Sequence, residues 1–287
     1  MWQNVKTAFL LALLDGLALF VGGIVAGRTG LIVAFVIALA LNAFTYWNSD
    51  KLAIAAARGV QVSPEEAPEL HRIIDELCAA ANMPKPRVYI TDDPSPNAFA
   101  TGRNPSHAAV ACTTGILNLV TARELRGVLS HELSHVRNRD ILTSSMAATI
   151  ATVISFLAQM ASWALIFGGF GGRDDRDGGN PLALLFVAIL AAPAAAIIQL
   201  AISRSREYEA DRDGARLTRD PLSLANALRK LDDQTRRIPM QVAPAVAPLF
   251  IVNPFGGRRL GLSALFSTHP PIETRIERLE EMAQRIG

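Results

Sequence analysis

The chain is short of several things, and each shortage removes a class of function. It has 2 cysteines among 287 residues, Cys78 and Cys112, neither in a CxxC pair. That leaves no disulfide scaffold and no thiolate zinc site, so both read as reduced core residues facing a cytosolic compartment. Charged residues make up 19%, aromatics 6%, and the net charge is +2. No basic cluster is interleaved with aromatic side chains, so nucleic acid is not an expected partner. Internal repeats and low-complexity tracts are absent too. What the chain has in excess is apolar. Hydrophobic residues are 50% of the total, and they gather in blocks almost free of Lys, Arg, Asp and Glu, the signature of an integral membrane protein.

Four such blocks are legible, at about residues 7–26, 31–47, 143–170 and 182–203. At about 1.5 Å of helix per residue each can cross a hydrocarbon core, the second only just. The first resembles a signal peptide in having Lys6 before it and small residues at its end. Asp15 interrupts it, however, and a second span follows after only Gly27-Arg28-Thr29-Gly30, so a retained hairpin is expected. Asp15 reads either as a functional membrane carboxylate or as a protonated, bundle-facing residue. The third block carries Ser155, Gln159 and Ser162 and suits a tilted or partly interfacial helix. Four spans return both termini to one side. Lys51, Arg58, Arg137, Arg139, Arg204, Arg206, Arg212 and Arg216 flank the spans there, against Arg28, Arg173 and Arg176 opposite, so that side is assigned to the cytoplasm of an inner membrane.

Between the hairpins, residues 48–142 read as water-soluble. Ser63-Pro64-Glu65-Glu66 joins an N-cap, a Pro at the first helical position and a Glu at the third, predicting a helix over about 64–82. Its His71 falls on the polar side, as a solvated residue. Pro84 and Pro86 end the helix, and a strand follows at 87–91, then another at 108–113. The segment from Asn97 to Thr101 is short and bounded by Pro96 and Gly102, as edge strands are, and an exposed edge can pair with an extended peptide. Residues 204–287 are soluble again. A helix is predicted from Arg204 to about Asp233, then an apolar, Pro-rich stretch at 238–254 packed on the soluble domain or on lipid. That stretch is placed to cover the peptide groove until a client displaces it. Thr268-His269-Pro270-Pro271 opens a last, charged helix. The fold class is therefore α+β, mainly α, in four segments: 1–47 a hairpin, 48–142 a soluble part, 143–203 a second helix pair, and 204–287 the soluble remainder.

The chemistry lies in TARELRGVLSHELSHVRNRD, residues 121–140. Thr121 and Glu124 form a capping box, and Leu125, Val128, Leu129, Leu133 and Val136 make one apolar stripe, so the stretch is a helix. His131 and His135, four apart, lie on one face and can share a metal ion, with Glu132 within reach of its water. A catalytic zinc site needs a third ligand and one open position. Glu207 is the best candidate, because Asp211 one turn beyond can accept a ring N–H from a ligand histidine. Glu209 and Asp213 fall on another face. A plain surface salt bridge from Asp211 to Arg206 or Arg212 is the competing reading.

These residues carry a resemblance. SPEEAPELHRIIDEL, MPKPRVYI, PNAFATGRNPSHAAVACTTGIL, ELRGVLSHELSHVRNRD, SREYEAD and FSTHPPIETRIERL make the chain similar to the HtpX-type membrane zinc metalloproteases. That group is a branch of the larger family that includes the prenyl-protein peptidases. The resemblance implies a zincin-like domain with zinc on His131, His135 and Glu207 and with Glu132 as general base. It implies substrate pairing along Asn97, Ala98, Phe99 and Ala100, and a transition-state role for His269 and Arg275.

Only a few residues separate His135 from the third block and Glu207 from the fourth, on the order of 6–12 Å of helix, so the site is expected close to the lipid bilayer. Expected substrates are membrane proteins or unfolded polypeptides, cut in a quality-control role. Two alternatives stand beside this. One is a prenyl-protein peptidase, for which four spans are too few to enclose a membrane chamber. The other is a silent client-binding adaptor, which has no need of a complete catalytic set.

Overall fold

The computed structural model describes residues 50–140, 181–240, 250–252 and 270–286, with single helical positions between residues 9 and 48 and between 154 and 162. It divides into two compact units. One comprises Met1–Thr45 and Thr143–Ser203, the other Tyr46–Leu142 and Arg204–Gly287.

In the first unit, Val21, Ile154, Leu157, Ala161, Val187, Ala191, Ala195 and Ile202 are buried together, while Phe9, Phe20, Val36, Ile189 and Ile197 stand exposed. Apolar side chains thus occupy the outside as well as the inside. Among the described residues one helix, Leu185–Thr218, is long and apolar enough to cross a membrane. The other three expected spans, and Asp15, lie largely or wholly outside the described residues.

The second unit is built on a four-stranded sheet. Its strands are β1 (Val60–Gln61), β2 (Arg87–Thr91), β3 (Ala98–Gly102) and β4 (Ala108–Thr113), in the order β1-β2-β4-β3. β2 and β4 run parallel with Val88 opposite Val110, and β3 pairs antiparallel to β4 with Ala100 opposite Val110. β3 is therefore an end strand, in keeping with Pro96 before it and Gly102 at its close. Yet all five of its residues are buried, and part of this edge is covered.

The helices of this unit are α1 (Pro68–Ala81), the short α2 (Thr114–Leu119), α3 (Ala122–Asn138), the part of α4 (Pro181–Thr218) from residue 204 on, α5 (Pro221–Arg237) and α6 (Ile272–Ile286). α1 starts later than predicted. Half of the Ser63 to Glu66 box is made, with Glu66 Oε2 accepting from the Ser63 amide at 2.7 Å, and the Glu66 amide returns to the Ser63 carbonyl, so the segment closes only a turn. Pro68 has no N–H to give to a carbonyl four residues back, so the ladder restarts there with Pro68 at its first turn. On α1, His71 is buried and not solvated, with Nε2 at 3.1 Å from the Val62 carbonyl.

The single helix predicted from Arg204 to Asp233 is two. Arg219 turns left-handed at φ 55°, Asp220 caps the next helix by accepting from Ser223, and Pro221 opens it. This is the cap-then-proline signature of a helix start. The break folds α5 back across α3, where Leu224, Leu228 and Leu231 join Leu125, Val128 and Leu129 in one core with Ile276 and Leu279 of α6. Cys78 and Cys112 are free and buried.

α3 and α4 approach each other closely, and Gly214 permits it. A Cβ at this position would stand 2.9 Å from the His131 backbone nitrogen and 3.0 Å from its Cα, nearer than side-chain carbons come to backbone. Gly214→Ala is therefore expected to push the two helices apart and lower stability by about 1–3 kcal/mol, read as a shift of the denaturation midpoint.

Candidate metal centre

α3 begins with the expected capping box: Thr121 Oγ1 accepts from the Glu124 amide, and Glu124 Oε2 accepts from the Thr121 amide at 2.8 Å. Its apolar stripe is buried from Leu125 to Val136. The same helix then presents His131, Glu132 and His135, the first two almost fully buried. α4 brings Glu207 to meet them. Nε2 of His131 and Nε2 of His135 are 3.1 Å apart, and the Glu207 carboxylate lies 3.8 Å from the first and 3.4 Å from the second. One donor atom from each of the three falls within 4.8 Å of the others.

Both outer ring nitrogens are engaged. His131 Nδ1 donates to Asp211 at 2.9 Å, and His135 Nδ1 donates to Asp140 at 2.9 Å. Asp211 is thus drawn inward and not to Arg206 or Arg212, which pair with Glu209. Asp213 pairs with Arg137. Asp140 was not anticipated. Its signal would have been a carboxylate just past the end of the histidine helix, which helical spacing does not rank.

Arg275 of α6 ties the cluster together. It is 0% exposed. Its Nε and Nη2 donate to Asp211 at 2.9 and 2.8 Å, Nη1 donates to the Ile251 carbonyl at 2.9 Å, and Nη1 lies 3.4 Å from Glu207. Tyr208, beside Glu207, carries the Arg278 guanidinium on its ring at 3.7 Å.

Burial and charge shift the titrating groups apart. Burial pushes the Glu132 carboxyl up to about 8, and burial holds the His131 imidazole below its usual range. For His135 burial acts downward, but Asp140 and Glu207 outweigh it and raise the imidazole well above its usual range. Burial acts to raise Asp211, and Arg275 with His131 overcomes it.

These donors fit a metal ion. With each Nδ1 engaged by a carboxylate, both Nε2 atoms turn inward and lie 3.1 Å apart beside Glu207, where one cation could sit among two imidazole nitrogens and a carboxylate oxygen. A tetrahedral zinc site places two imidazole nitrogens about 3.3 Å apart.

Glu132 also touches the end strand: its Oε2 accepts from the Ala100 amide at 2.8 Å. Further along β3, Phe250–Val252 occupy the edge. Ile251 donates to the Ala98 carbonyl at 3.1 Å, Asn97 Nδ2 donates to the Val252 carbonyl at 3.2 Å, and Phe250 meets Phe99 edge to face at 5.1 Å. Of the stretch expected to cover the groove, these three residues, each 1% exposed, lie against the expected substrate strand. His269 lies outside the described residues.

Comparison with known proteins accords with this geometry. Residues 64–283 match the model of peptidase family M48. The chain is 52% identical over 284 residues to the protease HtpX homolog of Syntrophobacter fumaroxidans, covering 98% of this chain and 100% of the relative. It is 54% identical over 281 residues to that of Syntrophotalea carbinolica, covering 98% and 99%. The crystal structure of S. mikatae Ste24p matches with a TM-score of 0.58 at 17% identity, covering 97% of this chain and 65% of that one, a likeness of fold. With HELSH on one helix and Glu207 facing it from another, the chain belongs to peptidase family M48 and is a metalloprotease.

Proposed function

We propose that the protein is a membrane-anchored zinc endopeptidase that cuts membrane or unfolded proteins at the cytoplasmic face, in protein quality control. The observation that carries this reading is the convergence of His131, His135 and Glu207 with Glu132 beside them, hydrogen-bonded to the end strand. His131, His135 and Glu207 would hold the ion, nitrogen and oxygen donors suiting zinc. Bound there, zinc would supply an acidified water and a polarised scissile carbonyl.

The chain's own groups do the rest. Glu132, with Oε2 held by the Ala100 amide, keeps Oε1 to take the proton of the attacking water and return it to the departing amide nitrogen. Asp211 and Arg275 fix His131 in the tautomer that leaves Nε2 open. For Arg275 the network of four contacts supports a positioning role, in place of the transition-state contact that the resemblance implies. The transition-state role of His269 remains proposed on that resemblance. An extended substrate pairs with β3 near Ala100, since the Ala98 carbonyl already has Ile251 as its partner.

The membrane anchor is supported by the apolar helix that leads into Glu207. Four spans and a cytoplasmic site are the reading that the arginine distribution favours. The test is purification in detergent, measurement of bound zinc, and assay on an unfolded polypeptide. The expected result is cleavage that a chelator abolishes and zinc restores. Cleavage indifferent to the chelator would overturn the proposal.

A further inference from the structure

His135, like His131, gives its outer ring nitrogen to a buried aspartate, here at a position that its spacing does not single out. We propose that Asp140 is a positioning residue for His135, the counterpart of Asp211 on His131, and that Arg206 anchors Asp140 as Arg275 anchors Asp211. The inference rests on the zinc reading above.

Asp140 is 3% exposed, and its Oδ2 accepts from His135 Nδ1 at 2.9 Å. Arg206 Nη1, also buried, lies 3.2 Å from Asp140 Oδ1 and 3.3 Å from Glu209. The backbone makes the contact possible. Arg139, the C-cap of α3, turns left-handed at φ 57°, with its amide bonded back to His135 and Val136. On an uninterrupted helix position 140 would be rotated about 140° from His135. The reversal at Arg139 brings it back onto the histidine. Each ligand imidazole thus has its outer N–H on a buried aspartate, and each aspartate has a buried arginine: His131–Asp211–Arg275 and His135–Asp140–Arg206. Such a partner fixes the tautomer and the ring plane and makes the inner nitrogen a stronger donor to the metal.

The experiment is zinc competition with a chelating dye on the full chain in detergent, with the zinc-induced rise in thermal midpoint read within each variant. Asp140→Asn is expected to bind zinc about 10–100-fold more weakly than wild type, with a smaller zinc-induced rise, so that its midpoint falls further below wild type in zinc than without it. Asp140→Glu is expected to recover part of the affinity. Unchanged zinc affinity in Asp140→Asn overturns the proposal, and so does an equal fall of the midpoint with and without zinc, the mark of a purely structural ion pair. If Asp140→Asn does not fold, Arg206→Gln answers the same question, since it removes the positive charge that stands 3.2 Å behind Asp140. Weaker zinc binding supports the proposal and unchanged binding overturns it. A wild type that binds no zinc at all would instead overturn the zinc reading.

Discussion

Glu132→Gln is expected to cut peptide hydrolysis by about 10²–10⁴-fold while leaving the fold and the zinc content at wild-type levels. The exchange is isosteric, and a glutamine carbonyl can still accept from the Ala100 amide that Oε2 holds at 2.8 Å. What it cannot do is take a proton from water. Stability should move the other way. Burial raises the Glu132 pKa to about 8, against about 4.3 for an unfolded glutamate. The folded, metal-free protein therefore binds this proton more tightly than the unfolded chain does, and the group costs stability progressively as pH rises from about 4 to 8. Glutamine has no such charge to bury. At pH 7 the metal-free variant should unfold at a higher temperature than metal-free wild type, and the gap should close on lowering the pH toward 4. Steady-state cleavage of an unfolded polypeptide, metal analysis and thermal unfolding at two pH values check all three parts. Cleavage that persists in Glu132→Gln would remove Glu132 from the role of base.

What the sequence disclosed of this site was whatever obeys helical spacing. His131 and His135 at i and i+4, the Thr121 and Glu124 box, and Glu207 with Asp211 one turn on all follow from a period that the residues themselves display. Asp140 escaped because its contact depends on a left-handed Arg139, a conformation that an arginine gives no warning of. The division between α4 and α5 was signalled by Asp220-Pro221 but sat inside a run of good helix formers. Pro68 likewise moves the start of α1 four residues beyond the helix start that Ser63-Pro64-Glu65-Glu66 predicts. His71 looked solvated on a helical wheel, and only tertiary packing brings the Val62 carbonyl to it. β3 was legible as an edge, but not the fact that Phe250–Val252 cover part of it, since that pairing joins residues about 150 positions apart.

Arg275→Met is expected to be among the most damaging single substitutions in the second unit. The guanidinium is fully buried and answers Asp211 twice, the Ile251 carbonyl once and Glu207 at 3.4 Å. Methionine fills much of the volume but leaves a buried aspartate facing His131 with no cation behind it. Breaking a buried pair by removing one partner costs about 3–5 kcal/mol, which for a unit of this size is a fall of roughly 6–20 °C in the metal-free midpoint. Arg275→Lys should fall between, since an ammonium can meet Asp211 but cannot also reach the Ile251 carbonyl in a fixed fork. The pattern separates two roles for this residue. A side chain that contacts the reacting carbonyl would, on removal, lower kcat and leave zinc affinity and the metal-free midpoint as they were. A side chain that holds Asp211, Glu207 and the Phe250–Val252 edge in place should lower zinc affinity and stability together, with the loss of turnover following from them.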